Sequence, residues 1–254
     1  MTGRAPVTVV VTTWNHGRFI GEALRSVFDQ TTPPQDVIVM DDGSTDNTGA
    51  IVAEVMGEQG RTFQYHQDGE RHGTARRLNE LFRLAKTEWV IGLGADDFWP
   101  PHFLAAHVVA LATAEQEPER LRPVGLVYSA AAYVDEHGTP LGKTFGVPSD
   151  PGELRYVNFI HGGAMVRRDA WGAAGGFPLD VTYEDWRCWC RITELGWDTV
   201  FVEGAQYQYR QHGQGHRNYG TDTVRDRNWN GSSVSVQVGN AFVKGTQRCT
   251  AREC

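Results

Sequence analysis

The chain lacks what a membrane, a nucleic acid or an oxidising compartment would ask of it. Its longest apolar run near the start, residues 7–11, is five residues long. A signal-peptide core takes about 7–15 apolar residues and a membrane span about 20. Lys and Arg number 24 against 31 Asp and Glu, a net charge of -7. No basic excess exists to displace counterions from a phosphate backbone, so nucleic-acid backbone binding is not expected. No dense Lys/Arg cluster points to an anionic bilayer either. The expectation is a soluble, cytoplasmic protein with no membrane span. Its four cysteines make no disulfide framework. A zinc site would want two close pairs. Cys188 and Cys190 lie two apart on a predicted helix, point to different faces, and read as reduced packing residues. Cys249 and Cys254 fall in a polar tail and carry no functional reading.

What is present is an ordinary globular composition, 40% hydrophobic and 22% charged over 254 residues, enough for one large α/β domain. Residues 7–12 form a continuous β-branched run, as in a strand buried on both faces. Residues 18–29 switch to helical period, with Phe19, Ile20, Ala23, Leu24, Val27 and Phe28 on one face, and Thr31-Thr32-Pro33-Pro34 ends that helix. Strands follow at 37–40, 62–65 and 89–93, with helices at 47–57, N-capped by Asp46, and 74–86. This alternation predicts a Rossmann-like, mostly parallel sheet with helices on both faces. Beyond Pro100-Pro101 the pattern loosens. It predicts a helix at 102–115, a hairpin of 126–134 with 138–143, a loop at 144–158, a strand at 163–167, a helix at 185–195 and two late strands at 199–202 and 205–210. Residues 213–254 are polar and weakly patterned, a tail or a lid.

The strongest chemical signal is Asp96-Asp97, which closes the apolar strand Trp89-Val90-Ile91-Gly92-Leu93. Two adjacent acids after a buried strand require a positive partner. Hard cations such as Mg²⁺ and Mn²⁺ take oxygen ligands from one or two protein carboxylates and fill their shell with substrate phosphates. The C-terminal end of a strand is also where open α/β sheets bind ligands. Two more acidic groups, Asp41-Asp42-Gly43-Ser44 and Glu184-Asp185-Trp186, support this reading.

Thr12-Thr13-Trp14-Asn15, Asp41-Asp42-Gly43-Ser44-Thr45-Asp46, Gly73-Thr74-Ala75-Arg76-Arg77-Leu78-Asn79, Asp96-Asp97 and Glu184-Asp185-Trp186 occur in an order that resembles glycosyltransferase family 2, over roughly residues 6–212. The resemblance implies a GT-A fold and transfer of a sugar from a nucleotide-diphosphate sugar, with inversion and with Mn²⁺ or Mg²⁺. It implies one domain over 1–212, with a nucleotide-binding half at 1–97 and an acceptor-binding half at 98–212.

It also implies roles for individual residues. Asp42 accepts a hydrogen bond from the imide N–H of uracil or thymine, which favours a uridine or thymidine diphosphate donor; the plainer reading is a turn or cap. Thr12 and Trp14 border the same pocket, where an indole offers a stacking face or is simply core. Gly73 and Arg76 pass near the diphosphate. Arg76 and Arg77 face about 100° apart, so one of them is solvated. Asp97 ligates the metal, and Asp96 binds the ribose or shares the metal; the alternative is a helix cap, which needs only one acid. The family's fuller pattern has a third acid where this chain has Gly94. Asp185 is the general base, with Glu184 orienting it or binding the acceptor; an ordinary acidic first turn is the alternative. His212 lies where many family members carry a histidine near the metal, and a surface histidine is the alternative. His161-Gly162-Gly163 lines the cleft or packs. His16 shows no usable spacing. The rival functions are a nucleotidyltransferase, which would want a Gly-rich basic loop after the first strand, and a non-catalytic sugar-nucleotide or glycan-binding module. The acceptor is unknown.

Overall fold

A computed structural model describes residues 3–59 and 63–213. Residues 214–254, with the predicted tail or lid and Cys249 and Cys254, lie outside the described residues. Strands β1 (Ala5–Thr13), β2 (Pro34–Asp41), β3 (Gln64–Gln67) and β4 (Trp89–Gly94) alternate with helices α1 (Ile20–Phe28), α2 (Thr48–Gln59) and α3 (Thr74–Leu84). Then follow α4 (Phe103–Glu115), β5 (Val124–Val134), β6 (Pro140–Phe145), a 3-10 turn (Pro151–Arg155), β7 (Met165–Arg167), α5 (Arg168–Ala173), α6 (Glu184–Glu194) and β8 (Asp198–Arg210). The sheet runs β3-β2-β1-β4-β7-β5-β6, with β8 beside β5. β1 to β4 are parallel, β8 is parallel to β5, and β6 and β7 run antiparallel to their neighbours.

The β-branched run of β1 explains this placement. Val7, Val9 and Val11 face one apolar layer with α1, α2 and α4, while Val10 faces the other with α3 and α6. A strand covered on both sides needs apolar residues at every position. β1 lies between β2 and β4, so the chain reverses its winding direction there. Open α/β sheets leave a crevice at such a switch, beyond the carboxyl ends of the strands. Thr12 sits at its mouth, paired with Met40 on β2 and Gly94 on β4.

The structure departs from the sequence reading in the second half. The predicted 144–158 loop contains the end of β6 and the 3-10 turn, and α5 is too short to show a period. The two late strands are one, β8, with an irregularity opposite Ser129/Ala130 and Gly204 at φ 74°. The 135–138 turn forms as predicted: the Asp135 carboxylate accepts from the His137 and Thr139 N–H groups at 2.9 and 2.8 Å. Cys188 and Cys190 are free and buried in α6, and burial pushes the Cys190 thiol up to about 12. No helix among the described residues is long and apolar enough to cross a membrane.

Candidate active site

Three chain segments meet beyond the ends of β1, β2 and β4. The first is the turn after β1. Asn15 adopts a left-handed conformation, φ 55°. Its Oδ1 accepts from the Thr45 and Asp46 N–H groups at 2.8 and 3.3 Å, and its own N–H donates to Ser44 Oγ at 2.8 Å. Gly17 N–H donates to Asp46 Oδ2 at 3.0 Å. The turns after β1 and β2 are thus stitched together, and Asp46 serves that joint as well as the start of α2, where it accepts from Thr48 N–H at 2.9 Å.

At the end of β2 both carboxylates are engaged. Asp41 accepts from Ser44 N–H and Tyr65 O–H, each at 2.8 Å. Asp42 accepts from His72 N–H at 2.7 Å, Gly73 N–H at 2.9 Å and Arg77 Nε at 2.9 Å. A carboxylate offers about four acceptor positions, so most of Asp42 is spent holding residues 72–77. Its partner Arg77 is buried and also meets Asp68, Glu80 and the Glu70 carbonyl. Arg76 is the solvated one of the two, paired with Glu80 at 3.4 Å. Gly43 is needed here: it has φ 79°, and a Cβ would lie 3.0 Å from the Glu70 carbonyl carbon. Arg71, in the same segment, lays its guanidinium 3.5 Å over the ring of Trp14, which is 39% exposed. Asp42→Ala should therefore cost about 3 kcal/mol of stability, because it strands part of a buried guanidinium and two N–H groups. An unchanged urea midpoint would contradict this.

At the end of β4, the two acids diverge. Asp97 is buried, with Oδ2 accepting from Tyr207 O–H and Oδ1 from Arg210 N–H, each at 2.8 Å. Burial, then the neighbouring Asp96 charge, pushes its carboxyl well above the usual range. Arg210 also donates to the Asp96 carbonyl, the Glu136 carbonyl and Glu22 at 2.7, 2.9 and 2.6 Å. Asp96 is the acid that faces other ligand-type side chains. His212 Nε2 lies 3.0 Å and His16 Nε2 3.9 Å from Asp96 Oδ2. The three groups' ligand atoms all lie within 4.8 Å of one another, a spacing that could hold a metal ion. Gly94 fits this arrangement: a Cβ there would lie 2.5 Å from Asp97 Oδ2 and 3.0 Å from Asp96 Oδ1. With both carboxylates so placed, a third acid has no room.

The start of α6 lies against the face of β4. Tyr183 enters it in a left-handed conformation, φ 63°. Glu184 and Asp185 form the first turn, and Trp186 turns inward to donate from Nε1 to the Leu154 carbonyl at 2.6 Å. Asp185 Oδ1 accepts from Trp186 N–H at 2.7 Å. Burial, then the Glu184 charge, pushes the Asp185 carboxyl up to about 7. Its other oxygen lies 3.2 Å from where a Gly162 Cβ would be, and the Gly162 carbonyl lies 3.2 Å from where a Gly92 Cβ would be. Asp185 therefore stands one glycine away from β4. His161 is buried and neutral, pushed down to about 3 by burial, and packs on Tyr207 at 4.7 Å.

Residues 8–116 match the family described as Glycosyl transferase family 2. Glycosyltransferase GlyG of Streptococcus pneumoniae is 33% identical over 91 residues, 36% of this chain and 30% of GlyG. A mannosyltransferase of Pyrobaculum calidifontis, PcManGT, solved in complex with GDP-Man and Mn²⁺, is 26% identical with a TM-score of 0.61 over 84% of this chain and 59% of its own. Staphylococcus aureus TarS, solved with UDP-GlcNAc, is 18% identical with a TM-score of 0.66 over 83% of this chain and 60% of its own. The chain thus spans less than two thirds of each of these proteins. The fold is of GT-A type, as the family 2 motifs imply.

The resemblance-derived residues Thr12, Trp14, Asp42, Gly73, Asp96, Asp97 and His212 lie at the ends of β1, β2 and β4, and Asp185 packs on Gly162 against the face of β4. Sequence reasoning missed His16, Arg71, Tyr207 and Arg210. A signal existed for the last: Arg210 and His212 are two apart, the period of one strand face.

Proposed function

We propose that this protein is an inverting, metal-dependent glycosyltransferase that moves a sugar from a nucleotide-diphosphate sugar to an acceptor hydroxyl. The observation that carries this reading is the cluster of His16, Asp96 and His212 beyond the end of β4, whose ligand atoms lie within 4.8 Å of one another; Asp185, with its raised carboxyl, stands one glycine from Gly92 within the same strand. The donor half is 1–97 and the acceptor half 98–212. Trp14 and Arg71 form a platform for the base. Asp42 fixes the wall formed by residues 70–73 and offers its remaining lone pair to an imide N–H, which favours a uracil or thymine base. Gly73, at φ 89°, opens α3, whose N-terminus carries no side-chain cap and no acid in its first turn. The N–H groups of the first turn and the helix dipole suit a diphosphate there, with Arg76 in the same turn.

In the proposed step the acceptor oxygen bonds to the anomeric carbon on one face as the carbon–oxygen bond to the diphosphate breaks on the other. The electron pair leaves with the nucleoside diphosphate, and the acceptor proton passes to Asp185. Asp96 and His212 fit a divalent cation by donor type and spacing. When bound, the cation neutralises charge growing on the leaving diphosphate. Asp97, with Tyr207 and Arg210, is assigned to holding the 94–98 turn and Asp96 to the cation, a revision of the expected role of Asp97, because both imidazoles lie against Asp96 Oδ2.

The rival nucleotidyltransferase lacks support in the turn after β1, which is closed onto the β2 turn instead of forming a Gly-rich basic cradle. A thermal-shift screen of uridine, thymidine and guanosine diphosphate sugars, with and without Mn²⁺, tests the donor class. A donor at 100 times its dissociation constant should add about 2.7 kcal/mol of apparent stability. No shift with any nucleotide sugar would overturn the reading.

A further inference from the structure

Two of the three side chains at the end of β4 are imidazoles. Ligands each about 2.1 Å from a common ion lie about 3.0 Å apart at a right angle and about 3.4 Å apart at a tetrahedral angle. The His212–Asp96 separation of 3.0 Å already matches, and the His16–Asp96 separation of 3.9 Å needs only a small closure. A simple histidine–carboxylate hydrogen bond accounts for His212. A second imidazole, that of His16, lies 3.9 Å from the same carboxylate oxygen.

Both imidazoles are carried by fixed backbone. His16 lies between Asn15 and Gly17, each bonded to the β2 turn. A Cβ at Gly17 would lie 2.0 Å from Asn47 Oδ1, so the two turns are in close contact. The His16 carbonyl accepts from the Phe19 and Ile20 N–H groups at 2.9 Å, which ties it to the start of α1. His212 has a side chain 2% exposed and packs on Phe19 at 4.5 Å. It follows Arg210, whose four hydrogen bonds bolt β8 to β4, α1 and the 135–138 turn. Ligands held this way lose little freedom on binding an ion.

We infer that His16 is a third ligand, making a two-imidazole, one-carboxylate site that takes transition-metal cations without nucleotide and discriminates against Mg²⁺. The inference rests on Asp96 and His212 being the cation ligands of the proposed transferase. Its chemistry follows from donor type. Mg²⁺ prefers oxygen and gives up water reluctantly, whereas imidazole suits the later first-row ions. The affinity order should be Mn²⁺ below Co²⁺, with Mg²⁺ far below both.

The test is titration of the full chain with Mn²⁺, Co²⁺ and Mg²⁺, without nucleotide, by calorimetry and by the visible absorption of Co²⁺. Co²⁺ should bind at least about 100-fold more tightly than Mg²⁺. His16→Gln should weaken Co²⁺ binding at least about 100-fold, beyond the 10–100-fold typical of an outer-shell change, shift its absorption bands, and leave the urea midpoint unchanged. Equal affinity for Mg²⁺ and Co²⁺, or a Co²⁺ affinity unaltered by His16→Gln, would overturn the inference. Asp96→Asn separates the two levels of the argument. If it abolishes Co²⁺ binding while His16→Gln does not, only the His16 assignment falls. If both variants bind Co²⁺ normally, the cation site itself is elsewhere and both readings fall.

Discussion

Asp185→Asn is expected to lower kcat by at least about 100-fold while leaving the donor dissociation constant unchanged. The substitution keeps the shape of the side chain against Gly162 and removes only its capacity to accept a proton. The pH dependence gives a second readout. The Asp185 carboxyl is pushed up to about 7, so in the free enzyme it is mostly protonated below that pH. The acid limb of kcat/KM should fall near 7, and Asp185→Asn should flatten it. Stability should respond with the opposite sign. The native protein holds this proton more tightly than the unfolded chain does, so between the ordinary carboxylate range and about pH 7 stability falls as pH rises. Above pH 7 the full cost of burying the charge is present. Asp185→Asn does not titrate, so it should be more stable than the parent at pH 8 and closer to it at pH 5. A near-normal kcat for Asp185→Asn would remove Asp185 as the base and pass the role to Glu184 or to a group on the acceptor.

The second large effect separates two adjacent acids. Asp96→Asn should weaken Mn²⁺ binding by at least about 100-fold, since ligand loss exceeds the 10–100-fold typical of outer-shell changes. Its fold should be as stable as the parent or slightly more so, because the Asp96 charge disfavours ionisation of Asp97. Asp97→Asn should do the reverse. One of its two oxygens becomes an NH₂ group facing Tyr207 O–H or Arg210 N–H, so it should cost about 1–3 kcal/mol and change Mn²⁺ affinity far less. Mn²⁺ titration and urea denaturation of both variants read the two effects independently. If Asp97→Asn loses Mn²⁺ and keeps its stability, Asp97 is a ligand after all.

The division between these two acids shows where the sequence stopped being informative. The strand–helix alternation through residue 94 was legible because each element is long and strongly periodic, as in Val7, Val9 and Val11 against Val10. The motif positions were legible because strand ends in a parallel sheet all open on one side. What was hidden is set by partners distant in sequence. Asp97 looks like Asp96 until Tyr207 and Arg210, on β8, are brought to it. Arg77 looks like Arg76 until the helix turns one inward onto Asp42 and leaves the other in solvent. His16 has no spacing relation to His212, because they meet only through the fold. The second half was harder for a local reason: α5 has six residues, and the irregularity in β8 interrupts the alternation that would have joined its two parts.

The measurement that bears most directly on the central claim is identification of what the protein releases from a nucleotide sugar. With the donor that shifts its melting temperature, Mn²⁺ and no acceptor, slow release of nucleoside diphosphate is predicted, abolished by Asp96→Asn and reduced at least about 100-fold by Asp185→Asn. Release of pyrophosphate would make the protein a nucleotidyltransferase. Tight donor binding without release of nucleoside diphosphate, both alone and with acceptor sugars supplied, would make it a binding module and contradict the account.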